Sequence, residues 1–447
     1  MSKAFDPEAV VDAALTWARR CGAEAAEVSI AFGESQSVEV RLGQLEGVER
    51  DESRSLALRA FIGKRQAGAV VTDLSPAGVK ALADRVVSMA KLAPEDPYCG
   101  LLDPAYRVKT IKALENEDKA RPSAQSLEEA ALACEAAALA VKGVANSGGA
   151  SASYGVAGHL VATSEGFLGR SAGTSYSLGV SPIAEKDGAK ERDYEYATRR
   201  FLADLPNAET IGAIAGARAV RRLGAKKIKS QTAPVLFEAR LAGRIIGPIL
   251  GAINGAAVAR GVSFLKDKLS QRILPETFTL TEDPFKKRGL ASRAFDGEGG
   301  AVKKRALIED GVVTTWLLNS ATARQLKMKP TGHATVGHGG PPGAGTSNLA
   351  VSPGEGTLAD LMRQAGKGLV VTEMFSPALN ANTGDWSVGV SGYWFAKGEA
   401  VHPVHEVTIA GNLLEMYPRL ICGADLEERG GFTAPSLMLD SLSIGGA

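Results

Sequence analysis

The chain contains five histidines, and the pair best spaced for shared chemistry is His333 and His338, in the segment TGHATVGHGGPPG. Imidazole nitrogens bind zinc, and a catalytic zinc takes three protein ligands and keeps one open position. On a helix, residues five positions apart point about 140° away from each other, so both rings could reach one metal only at a bent helix end. The glycines and prolines that follow favour a loop. We therefore expect loop hydrogen bonds or contact with a peptide or partner, with metal binding as the weaker alternative.

A second group of side chains with ligand chemistry is His402, His405 and Glu406, in the segment HPVHE. Residues 404–409 alternate between apolar and polar side chains, which is typical of a strand. Residues three apart on a strand point to opposite faces of the sheet, so His402 and His405 could not share one ion. The pattern predicts a structural role for both histidines.

The same C-terminal region holds Glu373 and Asp385 beside Glu406, and a pair of carboxylates can carry acid–base chemistry. The sequence places no nucleophile or set of metal ligands with them. Capping of turns and of strand ends is the favoured interpretation.

Residues 169–173, GRSAG, match the G-x-S-x-G pattern of a nucleophile elbow, which requires a strand before the serine and a helix after it. Residues 174–180 read as another strand, so we predict no serine hydrolase.

The composition sets the broad class. With 447 residues the chain is long enough for about three structural units, and a net charge of +1 gives no reason to expect nucleic acid or an anionic membrane as a partner. The N-terminus shows no signal peptide and no segment reads as a membrane span. Four scattered cysteines without a C-x-x-C pair fit a reducing compartment, so we expect a cytoplasmic protein.

The elements that must position these residues form an α+β pattern. Asp6-Pro7-Glu8 predicts a helix over residues 7–21, followed by alternating strands and a hairpin around residues 63–65. A second helix begins after Ser75. These elements make a first unit, residues 1–105. In the middle unit, residues 106–225, Ser126 and Glu129 predict a capping box, residues 148–196 read as antiparallel strands, and a helix covers about residues 208–223. The β-rich remainder is residues 230–447.

The C-terminal segment VTEMF…NTGDWSVGVSGYWFAKGE…HPVHEVTIAGNLLEM, within residues 368–423, resembles the C-terminal signature of PmbA/TldE proteins, which belong to the TldD/PmbA family (modulator of DNA gyrase, peptidase U62-like). The resemblance implies an N-terminal α/β domain built as a helix, an antiparallel meander and a helix. It also implies that a β-rich C-terminal metalloprotease-like domain follows, so the expected class is α+β.

The resemblance also implies where zinc would be bound in an active relative. In the TldD metalloproteases, the segment similar to residues 234–252 carries H-E-x-x-x-H, two zinc ligands and a general base. Here Gly247, Pro248 and Ala252 occupy those positions, and none of them can bind a metal or accept a proton. A further cysteine ligand would fall near residues 430–435, which contain none. Cys422 lies earlier and is interpreted as a buried structural thiol.

The expected function is therefore that of a non-catalytic PmbA/TldE-type subunit that is inactive alone. The resemblance implies a TldD-like subunit that supplies the zinc, and unfolded peptides as substrates for degradation or maturation. No cofactor is expected in this chain. Candidates for peptide or partner contact are His333, His338, Asp385 and Glu406. Two alternatives stay open: a metallopeptidase with an unrecognised site, for which His333 and His338 are the first candidates, and a homodimeric peptide-binding scaffold.

Overall fold

The computed structural model describes residues 6–446, which form three β-sheets and the α-helices that cover them. The helices are α1 Pro7–Arg20, α2 Pro76–Leu92, α3 Ala124–Leu139, α4 Ala208–Arg221, α5 Ala242–Ala252, α6 Gly255–Ala259, α7 Ser320–Gln325, α8 Leu358–Ala365 and α9 Leu413–Met416. The strands of the N-terminal half are β1 Ala25–Arg41, β2 Gln44–Ile62, β3 Arg65–Val71, β4 Val144–Thr163, β5 Leu168–Lys186, β6 Ala189–Arg192 and β7 Glu195–Arg199.

The C-terminal half holds the remaining strands. They are β8 Gln231–Phe237, β9 Leu280–Asp283, β10 Arg305–Glu309, β11 Val312–Val313, β12 Asn348–Val351, β13 Lys367–Leu379, β14 Asp385–Ala396, β15 Glu399–Asn412, β16 Leu420–Cys422, β17 Glu427–Arg429, β18 Phe432–Ala434 and β19 Leu437–Gly445. The α+β class predicted from the sequence is confirmed.

The first sheet joins the two N-terminal units, because β1 pairs antiparallel with β4 as well as with β2. Its order is β3-β2-β1-β4-β5-β6, and β7 pairs with β5. Even-numbered apolar residues of β1 are buried: Val28 and Ile30 pack under α1 and α2, and Val38 and Val40 pack under α3. Alternate residues of a strand share a face, so these helices all cover the same face of the sheet.

In β1, β4 and β5 the opposite face of this sheet is built from odd-numbered positions, many of which are serine or glycine. Ser37 lies opposite Ser153, and Ser153 lies opposite Ser177, while the next row along the strands is Ser35, Gly155 and Ser175. We call this surface the serine–glycine face. The C-terminal half packs against one end of it, where a ring nitrogen of His338 lies 2.9 Å from Ser55 Oγ. The other end stays open.

The C-terminal half contains a closed ring of strands. The pairings run β15-β14-β13-β8-β19 and return to β15, and β16 pairs with Leu437–Leu439 of β19, across that strand from β8. Buried aliphatic residues of β8, β13 and β14 pack against α5 in one core. A second sheet of six short strands, in the order β11-β10-β9-β12-β18-β17, lies against the same core. Among residues 6–446, no helix is long and apolar enough to cross a bilayer.

The start of α3 differs from the sequence prediction. The capping box predicted at Ser126 and Glu129 is wrong, because α3 begins at Ala124 and its N-cap is Ser123, whose Oγ accepts from the Ser126 N–H at 3.1 Å. Ser123 and Ser126 could each act as the N-cap of this helix. The helix begins after the earlier serine, which adds about one turn of hydrogen-bonded backbone.

Candidate functional site

The segment that would bind zinc in an active relative forms strand β8, a short turn and helix α5. Ile245, Ile246 and Ile249 bury one face of α5 in the C-terminal core. The helix continues through Pro248, although proline lacks the N–H that would bond to the carbonyl of Arg244. The glycines of α5 lie away from the isoleucine face, and a Cβ added at Gly247 would meet nothing within 4 Å.

An open groove of about 300 Å³ runs between α5 and the end of β13. We call it the α5 groove. Its helix side is formed by Gly243, Arg244, Gly247 and Pro248, and its strand side is formed by Met374, Pro377, Leu379 and Trp386. Arg244 is the charged residue of this lining, and its Nη1 donates to the backbone carbonyl of Met374 at 3.0 Å. The groove is therefore apolar apart from the Arg244 guanidinium, which is held by its hydrogen bond to Met374.

Zinc does not fit the α5 groove. Its lining offers no imidazole, carboxylate or thiol, and Gly247, Pro248 and Ala252 hold the positions where ligands and base are expected. Across residues 6–446, no three His, Cys, Asp or Glu side chains are grouped so that they could hold a metal ion. Cys422 ends β16, pairs with Leu437 and packs against the core, and burial raises the pKa of its thiol to about 12.

His333 is fully buried, and both of its ring nitrogens have partners. Nε2 lies 2.7 Å from Glu282 Oε2, and Nδ1 lies 2.7 Å from Thr331 Oγ1. Burial lowers the pKa of His333, which gives a neutral ring that donates from Nε2 and accepts at Nδ1. Burial opposes ionisation of Glu282, but the hydrogen bonds from His333 and from the backbone N–H of Ser347 lower its pKa. A metal would have to displace one of these bonds.

His338 lies elsewhere, between the two halves of the chain, with a left-handed backbone angle φ of 37°. Its ring nitrogens lie 3.4 Å from Ser29 Oγ and 2.9 Å from Ser55 Oγ. The structure thus gives His333 and His338 separate hydrogen-bond partners. His338 lines a cavity of about 450 Å³ that it shares with His159, a histidine that sequence analysis did not single out.

This cavity also contains Ser171, the serine of the GRSAG motif, directly across the strand pair from His159. The motif lies within β5, so it forms no elbow between a strand and a helix. Burial lowers the pKa of His159, whose ring packs edge-on against Phe295 with 6.2 Å between ring centroids. Among the residues that the structure describes, no hydrogen bond joins Ser171 to His159 and no carboxylate orients that ring.

The other predicted contact residues are exposed. Asp385 caps the turn before β14, where its carboxylate accepts from Thr383 Oγ1 at 2.6 Å and from Asn412 Nδ2 at 2.9 Å, and these bonds lower its pKa. Glu406, within β15, pairs with Lys227 at 3.2 Å. Both side chains stand at the surface, on the same sheet as the α5 groove but outside its lining.

A buried pair of carboxylates, Asp296 and Glu298, was missed by sequence analysis because the surrounding segment FDGEGG resembles an exposed turn. Three backbone N–H groups, from Glu298, Gly300 and Ala334, donate to Asp296. The Glu298 carboxylate accepts from the backbone N–H and the hydroxyl of Ser320, at 2.8 and 2.5 Å. Burial, followed by the nearby charge of Asp296, raises the pKa of Glu298 to about 7.

Glu298→Gln is expected to flatten the pH dependence of stability. The folded protein favours the protonated carboxyl, so the contribution of Glu298 to stability falls as the pH rises from 4.5 to about 7, by at most about 1.4 kcal/mol per pH unit. Glutamine keeps an acceptor for the Ser320 N–H and removes the ionisation. We expect the variant to be more stable than the native chain at pH 8 by about 1–3 kcal/mol, measured by urea unfolding from pH 5 to 8.

The matched control is Glu309→Gln, which changes the same charge at an exposed position of β10 and should leave the native pH profile unchanged. If the free energy of unfolding of the native chain and of Glu298→Gln changed in parallel from pH 5 to 8, the expectation would be contradicted.

Comparison with known proteins identifies the family. Models for three domains of PmbA/TldA metallopeptidases match this chain: domain 1 over residues 26–90, the central domain over residues 117–223 and the C-terminal domain over residues 230–446. Metalloprotease PmbA of Escherichia coli O157:H7 is 35% identical over 428 residues, which cover 95% of this chain and 92% of that protein. A PmbA homolog of Haemophilus influenzae is 34% identical over 98% of this chain and 95% of its own length.

Solved structures show the same fold. A protein of Bacteroides thetaiotaomicron described as a modulator of DNA gyrase superposes with a TM-score of 0.91 at 25% identity, covering 98% of this chain and 99% of its own. TldE from Thermococcus kodakarensis superposes with a TM-score of 0.87 at 20% identity, covering 98% and 100%. The chain belongs to the PmbA/TldD metallopeptidase family.

Proposed function

We propose that this chain is a non-catalytic subunit of a peptide-degrading or peptide-maturing complex, in which a TldD-like partner supplies the zinc. The observation that carries the proposal is α5, where Gly247, Pro248 and Ala252 stand at the positions of two ligands and a base. A catalytic zinc needs three protein ligands, and the α5 groove has none. The pairing with a TldD-like chain is drawn from the resemblance; a TldD homolog of Buchnera aphidicola is 23% identical over 64% of this chain.

The first experiment compares the purified chain alone with the chain mixed with a TldD-like protein from the same source. We expect this chain alone to hold no stoichiometric zinc and to cleave no unfolded peptide. We expect the mixture to elute as one complex in size-exclusion chromatography, to contain zinc and to cleave peptide. Zinc bound by this chain alone, with chelator-sensitive cleavage, would instead support a metallopeptidase. A stable dimer of this chain that ignores the TldD-like protein would support the homodimeric scaffold.

The α5 groove supports a role in holding extended peptide. The end of β13 beside it, residues 375–379, is exposed and includes Phe375 and Leu379. β8 pairs with β13 only at Leu369–Val371, so the second edge of residues 375–379 has no strand partner within the described chain. A peptide that lay along this edge could place an apolar side chain in the groove.

Gly247→Leu is expected to weaken peptide handling without unfolding the chain. A leucine at this position would fill open space in the groove, and leucine is a better helix former than glycine. We expect at least a tenfold rise in the Kd for an unstructured, apolar peptide, measured by fluorescence anisotropy on the assembled complex. Gly251→Leu is the matched control, because Gly251 also faces open space on α5 but lies outside the groove lining. Equal affinity for all three proteins would argue against a peptide site here.

A further inference from the structure

A second groove, of about 300 Å³, lies at the open end of the serine–glycine face. Strand register defines its centre: Glu39 lies opposite Ser151, Ser151 lies opposite Gly179, and Gly179 lies opposite Tyr196. These four residues form one row across β1, β4, β5 and β7. Because strands are spaced about 4.8 Å apart, the ends of the row are about 14 Å apart. The floor between them consists of a hydroxymethyl group and a glycine.

The two walls of this groove differ in chemistry. Glu39 and Glu46 form one wall, and Tyr194 and Tyr196 form the other. The tyrosine rings stack with 6.2 Å between centroids and an interplanar angle of 22°. They are 39% and 45% exposed, so both rings are accessible to a ligand. The groove thus offers an acidic end and an apolar end, and the Glu39 and Tyr196 side chains that form them extend from backbone positions about 14 Å apart.

The lining of the groove contains three carboxylates, those of Glu39, Glu46 and Glu195, and, within the described part of the chain, no basic side chain. Within residues 6–446, the Glu39 carboxylate has no ion pair or hydrogen bond, and Glu46 lies 4.0 Å from Arg41. Two arginines lie over the tyrosine rings, and each has two carboxylate partners: Arg240 pairs with Asp193 and Glu238, and Arg429 pairs with Glu427 and with Glu195, which Arg218 shares. One unpaired carboxylate therefore faces the groove.

We propose that this groove binds the side chain of a lysine or arginine in an extended peptide. The methylene stem packs against Tyr196, and the cationic end meets Glu39, since long basic side chains bury their stems and keep the charge near a polar partner. The small residues of the floor let a peptide backbone approach the sheet closely. The inference rests on the proposed function, because it specifies which peptides this subunit holds.

The test measures binding to the purified chain, without a partner and without cleavage. The probe is a fluorescent, unstructured peptide with a single central lysine, and its comparison peptide carries acetyl-lysine at that position. We expect the lysine peptide to bind about five- to tenfold more tightly, as a partly shielded ion pair with packing of the stem would give. Glu39→Gln should abolish this preference, and Tyr196→Ala should weaken both peptides.

The control is Glu129→Gln, which removes the same charge from α3, on the helix-covered face of the sheet, and should keep the preference. Equal binding of the two peptides, no binding of either one, or an equal loss in Glu129→Gln and Glu39→Gln would overturn the proposal. The outcome is independent of the zinc experiment: a lysine preference in a chain that joins no TldD-like protein would keep this site and refute the subunit function. A chain that joins a TldD-like protein but shows no lysine preference would keep the function and refute the site.

Discussion

Asp193→Ala is expected to lower the free energy of unfolding by about 3–5 kcal/mol, because it leaves a buried arginine without its main partner. Arg240 in the C-terminal half donates to Asp193 through Nη1 at 2.8 Å and Nη2 at 3.1 Å. Their side chains are 3% and 2% exposed. Burial opposes the charge of Asp193, but the Arg240 hydrogen bonds lower its pKa. Urea unfolding at pH 7 measures the loss.

A matched control for this substitution exists on the surface. Asp204→Ala removes a carboxylate that also accepts twice from one arginine, Arg288, at 3.1 Å and 3.1 Å, but both side chains are more than a third exposed. Solvent screens such a pair, so we expect no measurable change. The double variant Asp193→Leu with Arg240→Met should recover part of the loss, since it removes both buried charges, while Glu238 keeps Arg221 and Arg222 keeps Glu191 as partners. Equal effects at positions 193 and 204 would show that burial does not set the strength of the first pair.

Gly392→Ala is expected to destabilise the closed ring of strands by about 1–3 kcal/mol or more. A Cβ on Gly392 in β14 would lie 1.8 Å from the carbonyl oxygen of Val370 in β13, and this oxygen belongs to backbone that cannot rotate away. Relief would require the two strands to separate. The thermal unfolding midpoint and the urea midpoint should both fall.

Gly389→Ala on the same strand is the control for this change. The nearest atom to its Cβ would be the Phe375 carbonyl oxygen at 3.7 Å, an ordinary contact. We expect a change within about 0.5 kcal/mol. A small effect at both positions would mean that β13 and β14 separate at little cost.

Local signals in the sequence explain which parts of the fold could be predicted. Asp6 followed by Pro7 predicted a helix over residues 7–21, and α1 is observed over Pro7–Arg20, because a cap and a proline act through neighbouring backbone groups alone. The wrong N-cap predicted at Ser126 also has a local cause, since Ser123 and Ser126 could both cap the start of α3. The helix at α5 and its missing ligands depended on resemblance, because AGRIIGPILGA carries no chemical signal of its own.

The contacts and sites that the sequence could not predict join residues that are distant in the chain. His338 and Ser29 are 309 positions apart in the chain, and no sequence pattern near either residue predicts that they are in contact. Glu298 lies in a glycine-rich segment typical of an exposed turn, yet the fold buries it beside Asp296, and burial followed by the charge of Asp296 raises its pKa. The groove beside Glu39 combines four strands, and its row of residues exists only once their register is known.

The closed ring of strands also determines which parts of the molecule unfold first. The first sheet ends in β3 on one side and β6 on the other, so its outer strands can fray by breaking hydrogen bonds along a single edge. Each of β8, β13, β14, β15 and β19 is paired on both sides over part of its length, so fraying in the ring is confined to end segments such as residues 375–379 of β13. Amide protons in the ring should therefore exchange with solvent last, through cooperative opening of the whole ring. Limited proteolysis should accordingly trim the N-terminal half first and leave a fragment that begins near residue 230.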